Sequence, residues 1–220
     1  RDMALDKVGH FVLGVVVKAK LDRDAYLACM GGTDQLAVLP KSCADGPYRV
    51  QDRFYASIKS VGEQYPILSQ RSGHFLRQVC ELVFRPLIAE RRVVIDAVAT
   101  VQQAGFVKIA VSSPTGEDPI KLCMPYLPEF RTYCRLHPSL VRYSHMVEQY
   151  IKQALVPAPV TTIESVELCR ASREAIIRVP ASVLGRFVGI KGMNVAVASR
   201  LTGHGIRVVP AEQVMPPCLL

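Results

Sequence analysis

The sequence predicts a multidomain α+β protein, an all-β N-terminal third followed by two α/β units, and three observations carry that reading. Residues 8–71 hold five short β-rich runs separated by turn signals. Residues 161–209 follow the order strand, strand, helix, Gly-x-x-Gly, helix, strand. Residues 72–112 repeat the order helix, strand, strand that leads up to the Gly-x-x-Gly, so the middle of the chain reads as an earlier copy of the last unit.

In the first third the candidate strands are 11–20, 25–30, 35–39, 53–61 and 65–68, with hairpin turns at Gly31-Gly32 and Val61-Gly62-Glu63 and an irregular crossover over 41–52. Five strands of this size are expected to close into an oligonucleotide-binding (OB) barrel. Alternation along the fourth strand places Phe54, Ala56 and Ile58 inward and Arg53, Tyr55, Ser57 and Lys59 outward. An outer face carrying Tyr55 and Lys59 suits a single nucleic-acid strand; it equally suits a plain solvated surface.

Residues 72–89 have helical periodicity in Phe75, Leu76, Val79, Leu82 and Val83, and Pro86 should break or end that helix. Strands follow at 92–101 and 106–112, joined by a turn over 102–105. A second helix over 143–155, apolar at Met146, Val147, Tyr150, Ile151 and Leu155, opens the last unit. Runs at 161–167 and 175–179 then form a hairpin around Arg170 to Arg173, and Pro180 suits the first turn of a short helix over 181–188. A further helix from Gly192, apolar at Val195, Ala198 and Leu201, stops at Gly203 before a last strand over 206–209 and a tail over 211–220.

The loop Gly189-Ile190-Lys191-Gly192 is the feature with the clearest chemistry. Two glycines three apart let a sugar-phosphate strand approach the backbone with no Cβ in the way, and amides at the N-terminus of the next helix face the phosphates. Set between a short helix and a long one, this pattern is that of a KH module binding single-stranded RNA. The candidate RNA-binding residues are Gly189, Ile190, Lys191, Gly192, Met193 and Asn194, with Arg186 and Arg200 on the flanking helices and Tyr55 and Lys59 on the barrel. In the middle unit the corresponding place reads Leu122-Cys123-Met124-Pro125-Tyr126-Leu127-Pro128, where prolines fix the backbone and remove donors, so the clamp is absent.

Half of the 220 residues are apolar, enough for two or three small cores, and a net charge of +8 admits a polyanionic partner. No apolar run reaches the ~18 residues a membrane crossing needs, and no signal-peptide pattern opens the chain. A soluble, cytoplasmic protein without a membrane partner is expected, and a first residue other than Met points to upstream sequence. The seven cysteines show no Cys-x-x-Cys pair, which argues against zinc and a disulfide frame; Cys29 and Cys80, inside apolar runs, read as small buried hydrophobes. His10, His74, His137, His145 and His204 are scattered, and no cofactor, metal or catalytic motif is expected, so the chain reads as a non-enzyme.

The order barrel, KH-like unit, KH unit resembles the RNA-binding core of the bacterial transcription factor NusA. The matching stretches are Leu39-Pro40 leading to Tyr48-Arg49-Val50-Gln51-Asp52-Arg53, Leu68-Ser69-Gln70-Arg71-Ser72, Phe106-Val107-Lys108-Ile109-Ala110-Val111, Asp118-Pro119, Val188 to Val195, and Ala198 to Gly203. The resemblance implies an S1-type OB barrel (1–71), a first type II KH module that is degenerate (72–144) and a second with its clamp (145–210). It implies no catalysis. It also implies nascent RNA and RNA polymerase as partners, the latter in part through an N-terminal region outside these residues, with roles in pausing, termination and antitermination; a monomer is expected. Gly189, Lys191, Gly192 and Asn194 match the family's second clamp, and Arg200 matches a basic position on the helix that follows. The chain departs from the pattern in the first clamp and at Leu27, where the S1-type outer face carries an aromatic. The alternative is a structural or assembly subunit of a ribosome or other large ribonucleoprotein.

Overall fold

The computed structural model describes residues 7–21 and 24–212. Strands β1 (Phe11–Leu21), β2 (Ala25–Met30), β3 (Leu36–Pro40), β4 (Arg53–Val61) and β5 (Pro66–Ser69) close a barrel in the order β1-β2-β3-β5-β4, as the five runs predict. Closure comes from β1, which pairs antiparallel with both β2 and β4, while β3 and β5 run parallel. Alternation fills the interior with Val16, Ala28, Met30, Leu39, Phe54, Ile58 and Leu68. Cys29 falls on the opposite face of β2 and is half-buried. Ser57 is not outward as expected: it is buried, because Phe11, its register partner, stacks on Phe75 of the following helix and that helix packs on β4.

The middle unit begins with α1 (Gly73–Val83), whose N-cap Ser72 accepts a hydrogen bond from the Phe75 amide at 3.2 Å. Its buried stripe is Phe75, Leu76, Val79, Cys80 and Val83. Pro86 does break the helix and sits in the first turn of α2 (Arg85–Ala89), where its missing donor costs nothing. Then come β6 (Val94–Ala99), β7 (Phe106–Ser112), α3 (Pro119–Cys123), a 3₁₀ segment (Met124–Glu129), α4 (Phe130–Tyr133) and β8 (His137–Arg142). β6 is shorter than 92–101 because pairing with β7 runs only from Val94 to Ala99. β8 has no counterpart in the sequence expectation, since His137-Pro138-Ser139 hides its strand character; parallel pairing to β7 creates it.

The last unit comprises α5 (Val147–Leu155), β9 (Ser165–Cys169), β10 (Glu174–Val179), α6 (Leu184–Val188), α7 (Met193–Thr202) and β11 (Gly205–Pro210). α5 starts four residues later than expected because Tyr143 still donates its amide to Val111 beyond the end of β8. β9 is shifted from 161–167 to Ser165–Cys169, since residues 160–162 form a 3₁₀ turn. Pro180 precedes a 3₁₀ turn at 181–183, and only 184–188 are α-helical.

The two α/β units have the same sheet: β6 antiparallel and β8 parallel to β7, β9 antiparallel and β11 parallel to β10. β7 is buried on both faces. Val107, Ile109 and Val111 join the α1 core, while Ala110, together with Ala99 and Val141, belongs to the core built by α5, α7 and the last sheet. The two units therefore share an apolar interface that brings the end of α5 and the start of α7 against β7.

Candidate functional site

The Gly189-to-Gly192 loop joins α6 to α7. Gly189 has φ +74° and ψ 172°, and a Cβ there would stand 2.7 Å from the Asn194 Cβ. Any other residue would be strained and would clash. Lys191 is also left-handed (φ +53°), and Gly192 (φ +75°) is the N-cap of α7 with open space around it. No side chain caps α7, so the positive end of this ten-residue helix faces outward without an acceptor of its own. Ile190 is 83% exposed, and Arg186 and Lys191 are exposed beside it.

Beside the loop lies a groove of about 650 Å³ whose far wall is the middle unit: Phe106, Lys108 and Ser139 face Gly189, Ile190 and Met193. Its apolar walls and the bare glycine backbone could hold bases and phosphates respectively. Lys108, inside the run Phe106 to Val111, is the residue on which this geometry rests and one that the spacing of motifs does not single out. Its ammonium, 1% exposed, donates to the carbonyls of Ala154 and Val156 (2.9 Å) and to Asn194 Oδ1 (2.7 Å). It is a cation at the end of α5, where the helix presents unpaired carbonyls. Burial lowers it from 10.5 to about 8. A lysine inside the run Val107-Lys108-Ile109-Ala110-Val111 is the sequence signal for such a role.

Asn194 corrects the sequence expectation. Its side chain is buried rather than offered to RNA, and its Nδ2 donates to Leu155 (3.0 Å) and Phe187 (2.9 Å) carbonyls. It ties α5, α6 and α7 together behind the loop, so its part is to position the loop. Tyr55 is a second correction. Its ring lies against Phe11 (centroids 5.5 Å) and Tyr133 (5.1 Å) in an aromatic group joining barrel and middle unit, which takes up the face that stacking on a base would need. Lys59 and Arg200, proposed for unrelated reasons, come together in one cavity away from the loop.

Where the middle unit would carry its own clamp, the chain forms the 3₁₀ segment Met124–Glu129 with Pro125 and Pro128, followed by the four-residue α4. The residues after it turn to the barrel. Tyr133 joins the aromatic group, the Arg135 amide donates to Asp45 Oδ2 (2.7 Å), and its guanidinium lies 4.3 Å over the Tyr48 ring. The matching run Leu68 to Ser72 serves the same junction. Gln70 Nε2 donates to the Tyr55 carbonyl (2.9 Å), and Arg71 donates to carbonyls of Ala44 (2.8 Å) and Ala104 (2.7 Å), joining barrel to middle unit.

Among the described residues no helix is long and apolar enough to cross a membrane, and no group of three or more His, Cys, Asp or Glu is placed to hold a metal. Burial pushes the thiols of Cys80, Cys123 and Cys134 up, Cys123 to about 11, which keeps them protonated and unreactive.

No curated protein matches the chain. One solved structure, titled "Crystal structure of APE1850", is similar with a TM-score of 0.43 and 19% identity, over 59% of this chain and 95% of that chain. Residues 147–215, which span α5 to β11 and contain the Gly189-to-Gly192 loop, match the family model described as the NusA-like second KH domain.

Proposed function

We propose that the chain is the RNA-binding part of a NusA-type transcription factor: an S1-type barrel (1–71), a KH-like module without a clamp (72–144) and a KH module that grips single-stranded RNA (145–210). The observation that carries this reading is the loop with glycines at 189 and 192 and the exposed Lys191 between them, at the uncapped start of α7, beside an open groove and within the residues that match the NusA-like family model. Phosphates would meet the amides and Lys191, and bases would lie along Ile190, Met193 and Phe106. Bound in this way to nascent RNA at cytoplasmic RNA polymerase, a monomer of the protein would alter pausing, termination and antitermination without catalysing a reaction.

Titration of a single-stranded RNA at fixed salt tests the clamp. Gly192→Asp puts an anion among the phosphates and should weaken binding about a hundredfold, a like-charge cost of several kcal/mol. Pro125→Ala should change it less than about twofold, since no clamp operates there. Equal effects would sink the assignment. The turned-away segment after Pro128 supports a second reading, a protein-docking subunit of a ribonucleoprotein. Co-purification separates the two: polymerase subunits support the first reading, ribosomal proteins the second.

A further inference from the structure

We propose that the cavity where the barrel and both α/β units meet is a second anion site, a phosphate pocket held by Lys59, Arg71 and Arg200. The cavity, of about 320 Å³, takes Lys59 from β4, Ser69 from the end of β5, Arg71 and Ser72 from the entry to α1, Thr100 from the turn after β6 and Arg200 from α7. Each of the three cations thus comes from a different stretch of chain, and the fold alone brings them together.

No Asp or Glu among the described residues lines the cavity. Among the described residues the ion pairs hold Arg92, Arg142, Lys152 and Arg178, and none holds these three cations. Like charges gathered without a counter-charge repel, and an anion between them relieves that cost. Arg71 is fixed by its bonds through Nε and Nη1 to the Ala44, Val101 and Ala104 carbonyls, which leaves Nη2 uncommitted. Among the described residues Arg200 makes one long bond, from Nη1 to the Thr100 carbonyl at 3.4 Å, and Lys59 Nζ has only the Cys43 sulfur at 3.9 Å.

Hydroxyl donors complete the lining. Ser69 is 2% exposed; its Oγ accepts from the amides of Arg71 (3.1 Å) and Ser72 (3.0 Å), and no acceptor for its proton exists among the described residues. Ser72 Oγ likewise accepts from Phe75 and, among the described residues, has no acceptor for its proton. Both protons are available to a ligand in the cavity. Several donors from different directions suit an anion with more than two acceptor oxygens, which selects phosphate over carboxylate. The phosphate is either a phosphodiester of a bound RNA strand, in which case the site rests on the function proposed above, or a free phosphate compound, in which case it does not.

The test uses the full chain, the double variant Lys59→Gln with Arg200→Gln, and Gly192→Asp. Both substituted cations are exposed, and Arg71 is left in place because it holds barrel to middle unit. Should the double variant melt early, Lys59→Gln alone replaces it. Inorganic pyrophosphate at constant ionic strength should raise the thermal midpoint of the wild type, and the rise should vanish in the variant. In RNA titrations the log–log salt dependence of the variant should flatten by about 0.7, the value for one phosphate of a single strand. A changed pyrophosphate response with an unchanged salt slope assigns the pocket to a free phosphate compound; a changed slope assigns it to RNA. If neither differs between wild type and variant, the pocket is refuted, while loss of RNA binding in Gly192→Asp alone would leave the clamp standing. If the wild type binds no RNA, the clamp fails and the pyrophosphate arm decides the pocket by itself.

Discussion

The two α/β units have one sheet topology and opposite uses for the segment between their second and third strands. In the last unit that segment is α6, a glycine loop and the ten-residue α7, whose start is left without a side-chain cap. In the middle unit it is α3, a 3₁₀ run with two prolines and the four-residue α4, and the chain that leaves it binds the barrel through Tyr133 and Arg135. What separates the units is whether backbone donors remain free at a helix start. Proline removes them and glycine exposes them. The unit without donors is not idle: its β7 supplies Lys108, which holds Asn194 behind the other unit's loop.

The contrast can be broken first at Asn194. Asn194→Leu would strip the Lys108 ammonium of an acceptor and two carbonyls of their donor, and should cost about 3 kcal/mol in a denaturant melt. A loss under about 1 kcal/mol would mean that the middle unit does not brace the loop. Next come the glycines of the loop. Gly189→Ala meets the Asn194 Cβ at 2.7 Å in a left-handed backbone and should cost about 2 kcal/mol of stability, whereas Gly192→Ala, with open space around it, pays only the backbone strain of about 1 kcal/mol. Equal losses would show that the close contact at Gly189 relaxes freely.

Lys108 sharpens the comparison through pH. Its ammonium titrates near 8 when folded against 10.5 for an ordinary lysine, so between these values the unfolded chain holds the extra proton. Burying the charge therefore costs stability below about pH 8, and the cost fades as pH rises toward 10.5. Relative to Lys108→Met, which has no such proton, the wild type should gain stability across that window in melts at matched ionic strength. A parallel pH dependence of the two proteins would refute the buried charge. An equally small effect belongs to the other unit: Tyr133→Ala should lose about 1 kcal/mol from the aromatic group at the barrel and leave RNA affinity within about twofold. A larger fall in affinity would give the middle unit a direct share in RNA binding.

Much of this was legible along the chain because local periodicity and glycine chemistry are local facts. The five barrel strands, the break at Pro86, β7 and the stop at Gly203 followed from alternation, helical spacing and turn residues. β8 was not, since a His-Pro-Ser start has weak strand preference and only pairing to β7 makes it a strand. Ser57 and Tyr55 went the same way. Alternation put both outside the barrel, and it has no means of reporting that α1 and Tyr133 cover that outer face.

The left-handed glycine loop before α7 could be read along the chain, because it depends on residues close together in it. So could the absence of such a loop in the middle unit, because Pro125 and Pro128 act locally on the backbone. What surrounds the loop came from packing alone. Asn194 is a brace rather than a ligand, Lys108 reaches it across 86 positions of sequence, and Lys59, Arg71 and Arg200 meet in one cavity. The physical reason is that burial and charge clustering are properties of packed neighbours, and neighbours distant in sequence leave no periodic trace in it.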